Sequence, residues 1–478
     1  MTIWTKEEVR EALLPLIKEN HLESVSKPIT GISMDSRSLD KGDLFFAIKG
    51  DVTDGHGYVK DALDRGASLV VVDQTHEAAL KPVLAGQPHL VVVDTLKAME
   101  LLGNEARQRT AATVIGITGS VGKTSVRHVL GFLLSKQGKT VTSQKSYNNH
   151  WGVPLSLSHL DQDADYGVFE MGMNAPGEIR RLTLQVRPHV ALITTIGQAH
   201  MGRLGSVEAI ATAKAEIFAG LDQRKGIAVL NADAPCFELL VRKAQEANVS
   251  KVYTFSLHSQ ADVTLVSHED KGECQHIVVN VLGQDYEVNL PLRGSHWIPN
   301  ILGVFATLHA AGADLVKAAT DMAHLTAVDG RGVVHQVPLS GGGHITLIDD
   351  SYNANPTSMA AGIALLATFP GRRIAVLGDM LELGDSGQEL HEALAAHLVE
   401  AEVDTLYTCG PLMGHLHEVA PAAMKGAWKS DSIQLAQVLL GSVRSGDVIL
   451  IKGSNSIKMS RVLEAIKSLG RSEGIKAC

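Results

Sequence analysis

The sequence predicts an α/β protein made of three consecutive units, and three observations carry that prediction. At 478 residues the chain exceeds what one ordinary core holds, and a prior of roughly 150 residues per domain gives about three. Short apolar runs alternate with helical patterns along its whole length. The alternation restarts twice, which divides the chain into residues 1–110, 111–330 and 331–478.

The first unit opens on MTIWTKEEVREALLPLI. Thr5 and Glu8 form a capping box, and Val9, Leu13, Leu16 and Ile17 fall on one helical face, so a docked amphipathic helix is expected. Early acids and the lack of a long apolar core exclude a signal peptide and a spanning helix. DLFFAI, SLVVVD and HLVVVD then read as short strands. In the second unit TVIGIT, YGVFEMG, VALITTIG and GIAVLNAD are continuous apolar runs separated by helical segments, the pattern of a largely parallel sheet covered on both faces. HIVVNVLGQDYEVNL adds two alternating strands about a Gly-Gln turn, an antiparallel edge. RRIAVLGD, DTLYTCG and DVILIKGS restart the pattern in the third unit. Without low-complexity linkers the units touch and can close on a ligand.

Hydrophobic residues make up 45% and charged residues 20% of the chain, a globular balance. The net charge of -9, with no basic block, gives nonspecific nucleic-acid binding no support. Cys236, Cys274, Cys409 and Cys478 are scattered without a C-x-x-C pair, which fits reduced thiols in the cytoplasm. HEALAAH, at 391–397, fails the zinc spacing H-E-x-x-H, so no zinc site is expected.

The chemistry concentrates at GITGSVGKTS, residues 116–125. A strand leads into Gly119, Ser120, Val121 and Gly122, whose glycines let the backbone approach an anion; a helix beginning near Thr124 then turns its free N–H groups toward it. Lys123 reaches the outer phosphates, the Thr124 hydroxyl suits magnesium, and Ser125 completes the first turn. Isoleucine at 117 leaves the shorter form of the motif, G-x-x-G-K-T. Glu170 ends a buried run where ligands of open sheets collect, and His200 follows another such strand; together they offer anchors for two magnesium ions. Residue chemistry alone leaves Lys214, in SVEAIATAKAEIF, as a snorkelling surface lysine. Asp349 and Asp350 begin either an acidic turn into a helix capped by Thr357 or Ser358, or a ligand site. Arg331, between glycines, is a hinge or a phosphate contact.

Read in order, GITGSVGKTS, SYNNHWGVPLSL, VFEMGMNAPGEI, TTIGQAHMGRLGS, AKAEIF, IDDSYNANPTSM, LGDMLELG and KGSNSIKMSRV resemble the Mur ligase family over nearly the whole chain. That resemblance implies a small N-terminal unit for the UDP-muramoyl substrate, a central P-loop unit for ATP and a Rossmann-like C-terminal unit for the acceptor. DSYNANPTSM and LGDMLELG point within the family to addition of D-Ala-D-Ala to a UDP-N-acetylmuramoyl-tripeptide. The sibling that adds the third peptide residue carries a D-N-P-R signature, which is absent here. Carried over by position, Lys123 and Thr124 meet phosphate and magnesium, Glu170 and His200 ligate metal, and Lys214 becomes a carbamate that orders a second magnesium. Asn300, Arg331, Asp350 and Asn353 hold ATP from the far side. Asp35, Ser36, Arg37 and the KGDVTDGH stretch, with Asp54, Gly55 and His56, meet the UDP-muramoyl end. The family's G-R-H-N-x-x-N departs here to Gly294, Ser295, His296, Trp297 and Asn300. The resemblance further implies a cytoplasmic monomer. A P-loop switch or motor, and a folylpolyglutamate-type ligase, share the loop but not DSYNANPTSM.

Overall fold

The computed structural model describes residues 2–25, 28–50, 52–199, 201–272 and 274–471. His200 and Cys478 therefore lie outside the described residues. Among the described residues the architecture is α/β with three sheets of five, nine and six strands.

The first helix, Lys6–Leu13, has the expected capping box: the Thr5 side chain accepts from Glu8 N–H while the Glu8 carboxylate accepts from Thr5 N–H. It is shorter than its apolar periodicity. Pro15 lacks an N–H and its ring crowds the preceding helical turn, so the α-helix gives way to a 3-10 turn over Leu14–Leu16 and Ile17 starts a strand. That strand, Ile17–His21, is the antiparallel edge of an otherwise parallel five-stranded sheet.

In the nine-stranded sheet, Thr113–Thr118 lies between Tyr166–Glu170 and Val190–Ile193, all parallel and all buried along most of their length. Side-chain alternation splits this strand between two cores. Val114 packs in one with Trp4, Leu102 and Phe169, while Ile115 and Ile117 pack in the other with Leu130 and Leu302. The first of these cores runs from Trp4 to Ala244, so the five-stranded unit and the central unit share one apolar interior. At that joint the Trp4 indole donates to Ser158 O at 2.8 Å, and the Arg109 guanidinium lies 3.4 Å over its ring. At the far edge Gln275–Val281 and Gln284–Leu290 form the predicted hairpin, but its two-residue turn is left-handed Leu282 and Gly283 rather than Gly-Gln, and Gln284 pairs in the strand.

The third unit keeps separate cores of its own. Its sheet is parallel except for the edge strand Val333–Pro338. It touches the central unit at Gly202, whose N–H donates to Glu382 O at 3.2 Å; a Cβ on Gly202 would lie 2.4 Å from Gly384 N, so only glycine fits that contact. No helix among the described residues is long and apolar enough to cross a membrane.

Candidate active site

Parallel pairing fixes the site at one end of the central sheet. Ile117 and Glu170 are register partners, so the strand that feeds the phosphate loop and the strand that ends in a carboxylate finish side by side. The loop then turns through Gly119 (φ 151°) and Gly122 (φ 84°) into the helix Lys123–Ser135. A side chain at Gly119 would collide with the Thr194 hydroxyl, and one at Gly122 would sit 2.4 Å from Asn300 Oδ1. Neighbouring strand ends brace the loop: Thr194 Oγ1 donates to Val121 O at 2.6 Å, and the Ser120 hydroxyl exchanges hydrogen bonds with Gly197.

Glu170 is 1% exposed and fully engaged. Asn148 Nδ2 donates to Oε1 at 2.7 Å, Thr124 Oγ1 donates to Oε2 at 3.0 Å, and Arg127 Nε lies 3.6 Å from Oε2. Arg331 of the third unit donates to Thr124 Oγ1 at 3.3 Å and rests over the Tyr352 ring. Lys123 Nζ donates to Gly119 O at 2.7 Å. Desolvation lowers its pKa below the ordinary lysine value, Glu170 opposes the shift and Arg331 adds to it.

These groups line one cavity of about 670 Å³ between the central and third units. Ser120, Val121, Gly122, Lys123, Thr124, Ser125, Glu170 and Asn300 line one wall; Arg331, Asp350 and Asn353 line the other. Asn300 takes its place from the helix Trp297–Ala310, and its amide donates back to His296 O. Asp349 turns away into an Asx interaction with Ser351. The helix that follows is capped by Asn355 rather than Thr357 or Ser358: Asn355 Oδ1 accepts from Ser358 N–H, and Ser358 Oγ accepts in return from Asn355 N–H.

Lys214 is not a surface cation. It is 1% exposed, near the end of the helix Val207–Ala215, and its side chain makes no hydrogen bond or ion pair with another described residue. Burial drives its amine well below the ordinary lysine value, and the charge of Lys123 pushes the same way.

The first-unit residues lie outside this cavity. Asp35 and Arg37 form a two-pronged ion pair, Nε to Oδ1 at 2.9 Å and Nη2 to Oδ2 at 2.8 Å, with Ser36 buried between them. Gly55 packs against the Ile48 backbone, where a Cβ would lie 2.7 Å from Ile48 N. His56 is 3% exposed: Nδ1 meets Asp54 Oδ1 at 2.7 Å and Nε2 accepts from Asp73 N–H at 3.1 Å. His76 stacks on it with ring centroids 3.9 Å apart, and reaches Asp73 Oδ1 at 2.8 Å and Asp54 Oδ2 at 3.2 Å. Asp54, His56 and His76 thus bring ligand atoms together, but an ion in the plane of one ring would lie outside the plane of its parallel neighbour. The cluster is a hydrogen-bonded knot tying the 52–56 loop to the strand Leu69–Asp73.

Sequence reasoning assigned no role to Asn148, Arg127 or Lys452. Arg127 was readable, being one helical turn beyond Lys123 and so on the same face. Asn148 lies in the SYNNHWG run, but its bond to Glu170 spans 22 residues. Among the histidines of HEALAAH, His391 is buried and accepts from Met380 N–H at 2.9 Å, a structural role. Cys236, Cys274 and Cys409 are free thiols, and burial pushes that of Cys409 up to about 12.

Three family models match in succession: the Mur ligase family catalytic domain over residues 28–109, the Mur ligase middle domain over 117–308, and the Mur ligase glutamate ligase domain over 335–455. The UDP-N-acetylmuramoyl-tripeptide--D-alanyl-D-alanine ligase of Escherichia coli is 33% identical over 457 residues, 95% of this chain and 97% of the relative. Its Synechocystis counterpart is 34% identical, covering 92% of each. Among solved structures, MurF from Acinetobacter baumannii superposes with a TM-score of 0.81 at 29% identity, over 97% of this chain and 99% of that one. MurF ligase from Thermotoga maritima, in complex with ADP, gives 0.75 at 26%, over 93% and 99%. With three matching segments in the family's order, full-length relatives above 30% identity and the cleft they enclose, this chain belongs to the Mur ligase family.

Proposed function

We infer that the protein joins D-alanyl-D-alanine to a UDP-N-acetylmuramoyl-tripeptide, converting ATP to ADP and phosphate. The observation that carries this reading is the cleft itself: a phosphate loop with Lys123, Thr124 and Glu170 on one wall faces Arg331, Asp350 and Asn353 on the other. A peptide carboxylate resists amines because it is anionic and would have to expel oxide. Its oxygen attacks the γ-phosphorus, the bond to the β–γ bridging oxygen breaks, and ADP leaves. The dipeptide's neutral amine then attacks the acyl carbon, phosphate departs with the C–O electron pair, and the nitrogen loses a proton. Lys123 and Arg331 supply positive charge where carboxylate and triphosphate crowd together. Closure of the third unit excludes water that would otherwise hydrolyse the acyl phosphate.

Oxygen donors suit magnesium, and the paired Thr124 hydroxyl and Glu170 carboxylate would hold it, with His200 as the further ligand the family resemblance supplies. Bound there, magnesium offsets phosphate charge. Lys214 fits a carbamylated lysine: a buried amine held toward its neutral form can take up CO2, and the resulting carbamate would hold a second ion. Residues 1–110 would hold the UDP-muramoyl end, with Arg37 and Asp35 at its exposed rim, and residues 331–478 the acceptor. The cleft is complete within one chain, so a monomer suffices, and the UDP-linked donor and ATP argue for the cytoplasm.

The test is mass spectrometry after incubation with ATP, magnesium, a UDP-muramoyl-tripeptide and D-Ala-D-Ala. The expected product has gained one D-Ala-D-Ala less water. Phosphate release that needs neither co-substrate would make the protein a nucleotide switch instead.

A further inference from the structure

KGSNSIKMSRV is a long motif to which the proposed chemistry assigns nothing, and its first lysine is oddly placed. Lys452 ends the strand Asp447–Lys452, buried at every position, and is itself 2% exposed. In the neighbouring parallel strand its register partner is Asp350. Both side chains therefore emerge at the carboxyl end of the third sheet and line the cleft. Lys452 Nζ donates to Asp350 Oδ2 at 2.7 Å and to Asn353 O at 3.0 Å. The helix Pro356–Ala367 closes over the pair at Gly362, where a Cβ would sit 3.1 Å from Lys452 Cδ and 3.3 Å from Asp350 Oδ2.

We propose that Lys452 is a positioning residue for the nucleotide, fixing the Asp350 carboxylate and the Asn353 segment in the geometry that receives ATP. An ammonium with two protein acceptors in a buried niche is poorly placed to reach a phosphate. It is well placed to set its neighbours. Asp350 gives one oxygen to Lys452, while Oδ1 accepts no hydrogen bond from a described residue and remains for a hydroxyl of the nucleotide sugar. Desolvation lowers the Lys452 ammonium's pKa and Asp350 counters that shift, so the pair holds its charges together. Removing one partner would leave the other partly buried and uncompensated. This inference rests on the reading that Asp350 and Asn353 meet ATP.

The test is a double-mutant cycle read as ADP affinity by calorimetry and as ATP KM and kcat. Lys452→Met and Asp350→Asn should each weaken ADP about tenfold and raise the ATP KM to match, with kcat changed less than about threefold, and the double variant should be no worse than about twofold beyond the weaker single. If the two effects multiply, Lys452 acts independently of Asp350 and the inference is overturned. ADP affinity within about twofold of wild type for Lys452→Met, with Asp350→Asn weakened, overturns it too. Unchanged affinity for Asp350→Asn alone would instead remove the nucleotide reading beneath it. Should Lys452→Met fail to fold, Gly362→Ala presses on the pair from the helix side without altering either charge. It should weaken ADP about threefold in wild type and not at all in Asp350→Asn, and an equal effect in both backgrounds overturns the proposal.

Discussion

Lys214 and His56 are both nearly inaccessible, at 1% and 3% exposure, and both sit in stretches that the family resemblance assigns to ligands. Their surroundings are opposite. His56 has a partner at each ring nitrogen, and the knot that holds it includes Asp54, Asp73 and His76. Lys214 has no hydrogen bond or ion pair with another described residue, and the charge of Lys123 repels its ammonium. An unpaired buried polar group costs about 1–3 kcal/mol, and more when charged. A fold tolerates that where a ligand or modification completes the site. In this pair the difference separates the two roles: His56 shapes a loop, and Lys214 is the proposed site of a modification.

The comparison breaks first at the phosphate loop. Lys123→Ala should lower kcat about a thousandfold, since the ammonium acts on charge that develops at the phosphates. Its melting temperature should stay close to wild type, because its hydrogen bond is to its own loop. Activity within about tenfold of wild type would undo the cradle assignment. Lys214→Ala comes next, with an expected loss of about a hundredfold in kcat and partial rescue by a short carboxylate in solution that fills the vacated space. Thorough CO2 depletion should slow the wild type but not the rescued variant. Full activity of Lys214→Arg, a poor carbamate former, would show that positive charge alone is wanted there.

His56→Ala sharpens the other half. Leaving Asp54 and the Asp73 N–H without their partner should cost about 1–3 kcal/mol of stability, seen by thermal or urea unfolding. The KM for the UDP-muramoyl substrate should rise about tenfold through loss of loop geometry, while ADP affinity is untouched. A selective loss of UDP-substrate binding with full stability would mean that His56 touches the ligand directly.

How much of this was legible depends on how local each determinant is. GITGSVGKTS packs strand end, turn and helix start into ten residues, so its chemistry reads directly from the sequence. The Thr5–Glu8 box is equally local. The first helix is shorter than its pattern because periodicity continues through Leu16 and Ile17 while Pro15 ends the helix. Lys214 could not be placed, since small and apolar neighbours fit a buried or an exposed helix face alike. The Asp350–Lys452 pair spans 102 residues and depends on which parallel strands become neighbours, a choice that no short pattern encodes. The same holds for His56, whose knot needs the strand Leu69–Asp73 beside its loop.

The smallest effect belongs to the same knot and is read through pH. Partial burial works against ionisation of Asp73, but hydrogen bonds from Thr75 and His76 and the nearby His56 outweigh it and hold the carboxyl at about 2. Asp54 is lowered as well: burial again opposes, and bonds from His56 prevail. A carboxyl depressed in the folded state takes up its proton first in the unfolded chain. Its stabilising contribution is therefore complete above the unfolded value of about 3.9 and is lost as pH falls toward the folded one. Asp73→Asn removes that contribution. It should lower the melting temperature by a few degrees at neutral pH, and the further fall between about pH 4.5 and about pH 2.5 should be shallower than in wild type. Parallel curves for the two proteins would mean that Asp73 titrates alike in folded and unfolded chains, and that the knot around His56 is held by shape rather than by charge.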